Sequence, residues 1–203
     1  MTLIIIAITV AISFAGFRSP KLMNELQFNA SKIYYKKQYY RLITHAFIHA
    51  NWEHLFVNMI VLFSFGEAIE KYFQYNFGSN SILYYLLLYF GGILVSNIYA
   101  LIKHRNNYFY NSVGASGAVS AVLFAAIFFD PWNMIYFFGI LPIPGIVFAV
   151  LYLVYSYQMS NKAKDNVAHD AHFLGAVYGF IFPILLNPGL FSIFIDKLFR
   201  IIG

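Results

Sequence analysis

The sequence predicts an all-α membrane protein, a bundle of six transmembrane helices with a partly helical, interfacial first loop. Two observations carry this. Of the 203 residues, 61% are hydrophobic, 21% aromatic and only 10% charged, whereas soluble domains lie nearer half apolar and a quarter charged. The apolar residues also gather in runs close to the length of about 20 that a helix needs to cross hydrocarbon. Such runs are too long and too continuous for barrel strands.

Six runs are predicted, at 2–17, 53–70, 81–102, 112–129, 143–159 and 169–187, in one membrane domain covering 1–203. Thr2 to Phe17 carries no charge. It lacks the basic start of a signal peptide and the Arg-rich character of a transit peptide, so it reads as a first span. Between the first two spans, residues 18–52 hold Arg18, Lys21, Lys32, Lys36, Lys37 and Arg41 among Tyr35, Tyr39, Tyr40 and Phe47. Basic and aromatic residues interleaved in this way suit a segment lying in the headgroups. The stretch 130–142 is apolar but broken by prolines, and with Pro144 and Gly145 it reads as a connection into the fifth span. The tail from Phe191 to Gly203, with Asp196, Lys197 and Arg200, reads as a short amphipathic helix.

The net charge of +5 on so apolar a chain points to the lipid bilayer as partner and not to nucleic acid. There is no cysteine, which excludes disulfides and thiolate chemistry.

Successive spans cross in opposite directions, so the second, fourth and sixth enter from one face. His54, Ser116 and His172 each stand within a few residues of those three starts. At about 1.5 Å of rise per residue, all three lie at comparable shallow depth on one side. Gly175 and Gly179 follow His172 on its own helix face, a Gly-xxx-Gly pair that lets helix backbones approach in lipid. The fourth span answers with Gly114, Gly117, Ala118, Ala121 and Ala125. Only close axes let a short serine side chain reach an imidazole within about 3 Å. His54 and Asn58 are four apart, hence on one face of the second span. A hydroxyl, two imidazoles and an amide meeting inside a membrane point to nucleophilic chemistry on peptide bonds.

These residues carry a resemblance. From about Tyr40 to Gly179 the chain is similar to the rhomboid intramembrane serine proteases, in their minimal six-span bacterial form. The match runs through Tyr40-Arg41, Thr44-His45, His49 and His54-xxx-Asn58, then Gly114-Ala115-Ser116-Gly117, then Ala171-His172-Phe173-Leu174-Gly175. The resemblance implies a serine endopeptidase with a Ser–His dyad and neither metal nor other cofactor. Ser116 is then the nucleophile and His172 the general base. His54, Asn58 and the Ser116 backbone N–H meet the oxyanion. Its partners are transmembrane-helix substrates, whose backbone must unwind locally to expose a carbonyl. Two departures stand out: Tyr40 replaces a usual tryptophan, and Ser120 stands where the family often packs an aromatic residue on the catalytic histidine.

The resemblance also implies a multi-pass protein of the bacterial inner membrane with the site facing outward. The six Lys/Arg of loop one would by charge alone put that loop in the cytoplasm, and the reading follows the resemblance. His172 is preferred to His169 as base because it opens the Ala-His-x-x-Gly pattern. Asp170, two residues before His172, projects about 200° around the helix from it, which argues for a dyad. His45 and His49 read as supports of the first loop that, with Asn51, hold water near the site. Glu67, Glu70 and Lys71 read as a structural cluster at the far end of the second span. Two rivals remain: an inactive rhomboid-like binder of transmembrane helices, and a metal-dependent hydrolase built on His169-x-x-His172 with His49 and His54. The second lacks an HExxH and leaves Ser116 and Asn58 without a role.

Overall fold

The computed structural model describes residues 1–137, 139–162 and 168–199, and they are predominantly helical. Helix α1 (Thr2–Arg18) leads into a first loop that folds into α2 (Pro20–Leu26), α3 (Ala30–Lys36), α4 (Arg41–Thr44) and a 3-10 turn at His45–Phe47. Local chemistry explains the pieces. Ser19 accepts the Leu22 N–H at 3.2 Å with Pro20 in the first turn, and Asn29 caps Lys32 N–H at 2.8 Å. Buried Arg41 donates to the Asn24 and Gln27 carbonyls at 2.8 and 2.7 Å, tying α4 to the end of α2. The partly helical first loop is therefore present.

Helix α5 (Trp52–Phe77) ends at Gly78, whose φ of +54° suits glycine. Glu70 accepts the Thr2 N–H at 2.6 Å, which ties α5 to α1 as part of a structural cluster. The predicted third span divides into α6 (Ser81–Ser96) and α7 (Ile98–Lys103). The break lies at Asn97, whose amide donates to Ile93 O at 2.9 Å and meets His45 Nε2 at 3.1 Å. A side chain that bonds backbone in this way competes with helix continuation.

Helix α8 (Ser116–Phe129) is followed by a hairpin where the sequence predicts a connection into the fifth span: β1 (Met134–Phe137) antiparallel to β2 (Leu141–Pro144), with Met134 opposite Pro144. In a two-stranded sheet both strands are edges, where proline's missing N–H is tolerated. Then come α9 (Gly145–Lys162), α10 (His169–Leu186) and α11 (Gly189–Phe199). The last is the expected tail helix; residues 200–203 of that expectation lie outside the described residues.

Helix α8 is the centre of the bundle, with α5, α6 and α10 packed on it. Its far end is locked by α11, where Phe194 stacks on Phe128 at 5.2 Å and Lys197 Nζ donates to Phe129 O at 2.7 Å. By length and hydropathy, two helical stretches suffice to cross a membrane: Trp52–Lys103, which contains α5 to α7, and His169–Leu186. Thr2–Arg18, Ser116–Phe129 and Gly145–Ser160 are apolar but shorter. At about 21 Å, α8 alone falls short of the roughly 30 Å hydrocarbon layer. Length thus supports two spans where the sequence predicts six. The outer faces nonetheless expose Leu3, Phe56, Ile82 and Leu151, each more than half accessible. That is an apolar surface suited to lipid.

Candidate active site

Ser116 opens α8, and every residue of the helix after it is buried. Its own side chain is only half-buried. The N-cap is Ala115, which has no side-chain oxygen to satisfy the first N–H groups of the helix. Among the described residues no side chain caps these donors, which stand at the positive end of the helix dipole beside the hydroxyl.

The turn before Ser116 is held by the first loop. Phe28 and Ser112 exchange backbone bonds of 2.9 and 3.2 Å, and Gly114 N–H donates to His45 O at 2.9 Å. Ala115 N–H donates to His49 Nε2 at 3.4 Å. Gly114 has φ +112°, and a Cβ there would lie 2.8 Å from His54 Nε2. Glycine is thus required twice at 114, for conformation and for room.

His54 sits in the first turn of α5, where Asn51 Oδ1 accepts its N–H at 2.8 Å. Its half-buried ring lies against Gly114 and meets the His49 ring edge-on at 5.0 Å. Asn58, one turn along, is buried and donates to His54 O at 2.8 Å. That bond uses one of its two amide hydrogens.

His49 is fully buried. Its Nε2 accepts from Ala115, so Nδ1 carries the proton and donates to Ser13 Oγ at 2.9 Å; Ser13 in turn donates to Phe47 O at 3.0 Å. His45 is arranged the same way, with Nδ1 donating to Arg41 O at 2.9 Å and Nε2 accepting from Asn97. Each ring donates once and accepts once, which only neutral imidazole can do. Burial pulls His45 down to about 4, and burial with the nearby His54 pulls His49 down to about 3. Both rings are struts of the first loop. Their nitrogens are committed to protein, which corrects the water-holding role expected for the two rings; Asn51 Oδ1 caps α5.

His172 stands in the first turn of α10, half-buried. A Cβ on Gly175 would lie 2.9 Å from the Gly117 carbonyl carbon, and one on Gly179 would lie 2.5 Å from Ala121 Cα. The two backbones are therefore in direct contact, one turn after His172 on α10 and one residue after Ser116 on α8. On the other side Gly92 of α6 approaches Ala118 Cα, where a Cβ would come within 3.1 Å. Among the described residues no hydrogen bond joins Ser116 Oγ to His172; catalytic bonds are often loose before substrate binds. The His172 ring faces those of Tyr152, at 6.3 Å, and His169, at 6.1 Å.

Sequence reasoning missed Tyr152, whose one signal was the small Ser120 four residues after Ser116. Asp170 uses Oδ1 on the Ala171 N–H at 2.9 Å. Burial, then the Asp170 charge, push the Tyr110 phenol up to about 12, so this carboxylate faces the 104–113 loop. Among the described residues no three His, Asp or Glu side chains gather as a metal site requires.

Comparison with known proteins identifies the family of the chain. The rhomboid domain family model matches residues 36–188. The chain is 28% identical over 165 residues to RHOMBOID-like protein 12, mitochondrial, of Arabidopsis thaliana, covering 74% of this chain and 47% of that protein. It is 29% identical over 164 residues to Rhomboid-like protein 11, chloroplastic, of the same plant, covering 73% and 53%. It is 27% identical over 141 residues to Rhomboid protease GluP of Bacillus subtilis, covering 70% and 25%. The chain thus spans about half the length of the two plant relatives and a quarter of the bacterial one. It belongs to the rhomboid family, whose members are integral membrane proteins.

Proposed function

We propose that this chain is an intramembrane serine endopeptidase that cleaves peptide bonds in or near transmembrane helices. What supports the reading is that Ser116, the one residue of α8 not buried, and His172, one turn before the Gly175–Gly117 contact, stand near the starts of two helices whose backbones touch. In the reaction, His172 takes the Ser116 hydroxyl proton as Oγ attacks the carbonyl carbon of the substrate. The oxyanion is met by the Ser116 N–H, the His54 ring and the remaining Asn58 amide hydrogen. Collapse breaks the C–N bond, and His172 returns the proton to the leaving amine. Water then hydrolyses the acyl-enzyme by the same steps in reverse order.

The same reading treats residues 1–203 as one six-span domain, with the short helices α1, α8 and α9 crossing as members of the bundle. It places the protein in the bacterial inner membrane with the site near the outer face. Cleavage of a reporter transmembrane helix by the purified protein tests it. Wild type cleaves, and Ser116→Ala and His172→Ala do not. Equal cleavage in all three, or none in a folded wild type, rejects the assignment; in the second case helix binding without turnover takes its place.

A further inference from the structure

Tyr152 is carried by α9, yet its ring lies nearly parallel to the His172 imidazole on α10, at 20° and with centroids 6.3 Å apart. Its hydroxyl is bonded to Ser120 Oγ on α8 at 2.7 Å. Ser120 is buried and stands one turn after Ser116. Phe124 and Phe148 flank the ring at 5.4 and 5.7 Å, so both its plane and its polar end are fixed.

A histidine ring turns about a broad, two-fold torsion at χ2. On the first turn of a helix it needs an outside surface to select one orientation. An aromatic face at offset-stacking distance supplies such a surface, and the small Ser120 leaves room for it to come from a neighbouring helix. We propose that Tyr152 is the positioning residue for His172, holding the imidazole so that one nitrogen faces the Ser116 hydroxyl. The proposal rests on the assignment of Ser116 and His172 made above. It makes the orientation of the base depend on three helices at once, since a shift of α9 away from α8 breaks the Ser120–Tyr152 bond and slides the ring off His172.

The test uses the full chain with two variants and two readouts. Tyr152→Phe keeps the ring and loses only the hydroxyl; Tyr152→Leu loses the aromatic face at similar bulk. With Ser116→Ala as blank, Tyr152→Phe cleaves the reporter helix within about twofold of wild type. Tyr152→Leu loses roughly tenfold in kcat with KM unchanged, the upper range of an aromatic pair. The second readout needs no activity. In protein with 13C-labelled histidine, the His172 ring signal, identified by its loss in His172→Gln, moves in Tyr152→Leu and stays in Tyr152→Phe. Unmoved His45 and His49 signals in Tyr152→Leu show that the fold is kept. Wild-type kcat in Tyr152→Leu, or an unmoved His172 signal, overturns the proposal. Absence of cleavage by wild type overturns the protease assignment instead, and the His172 signal still decides whether Tyr152 sets the ring.

Discussion

Gly175 of α10 lies on the backbone of Gly117 in α8, with no space between them for a side chain. The obstructing atoms are main chain, so they cannot swing aside. Gly175→Val therefore pushes α10 off α8 and carries His172 away from Ser116. Overpacking of this kind costs about 1–3 kcal/mol. The variant is expected to melt at lower temperature and to lose most cleavage. Retention of both would mean that the helices need not touch.

Much of that contact was legible in the sequence, because Gly175, Gly179, Gly117 and Ala121 recur at helical spacing and small residues at that spacing have few other uses in a membrane. The proposed dyad stands out by position instead, with Ser116 and His172 each near the start of its own helix. What the sequence did not disclose are pairings between distant segments. Tyr152 reaches His172 from another helix, and His49 reaches Ala115 from the first loop. Neither has a local pattern to mark it. The hairpin at 134–144 was hidden because its prolines argue against strand in any sheet with a central position. Span count was legible only as hydropathy: α8 is apolar throughout, yet too short by itself to meet the length criterion.

The two side chains proposed as oxyanion donors are separable. His54→Ala removes a ring packed on Gly114, and Asn58→Ala removes an amide already bonded to His54 O. Loss of one such donor typically raises the barrier by about 2.7–4 kcal/mol, or 10²–10³ in kcat. Each single variant is expected to fall in that range with KM little changed. A drop of less than threefold in either would remove that residue from the oxyanion site.

Stability should fall in acid for a specific reason. His45 and His49 are held neutral, with folded values of about 4 and about 3 against an ordinary 6.5. A folded value below the unfolded one stabilises the protein fully above about pH 6.5. That contribution drains away as pH falls from there toward 4 and 3. At pH 5 the loss is about 2 kcal/mol per histidine. Melting temperature measured from pH 8 to pH 4.5 is expected to be flat at first and to drop below pH 6.5. His45→Gln, though less stable at pH 8, should show a shallower drop; an identical slope would assign the acid sensitivity elsewhere.

Orientation can be read cleanly because the chain has no cysteine. Tyr39 in the first loop and Ile140 in the hairpin are both exposed and lie near opposite ends of α8. In intact cells, an impermeant maleimide is expected to label Tyr39→Cys and to spare Ile140→Cys until the membrane is opened. The reverse pattern would place the site in the cytoplasm, as the basic first loop implies by charge alone.

Asp170 decides between a dyad and a triad. It lies two residues before His172, so its side chain leaves α10 on a different face. Its Oδ1 accepts the N–H of the next residue, and its charge acts on Tyr110 and His104 across the 104–113 loop. None of these contacts is with the His172 ring, which faces Tyr152 and His169 among the described residues. An asparagine keeps the oxygen that bonds Ala171 and removes only the charge. Asp170→Asn should therefore cleave the reporter within about twofold of wild type. A loss approaching that of Ser116→Ala would make Asp170 the third member of a charge-paired triad, in which a missing carboxylate costs as much as 10⁴ in kcat.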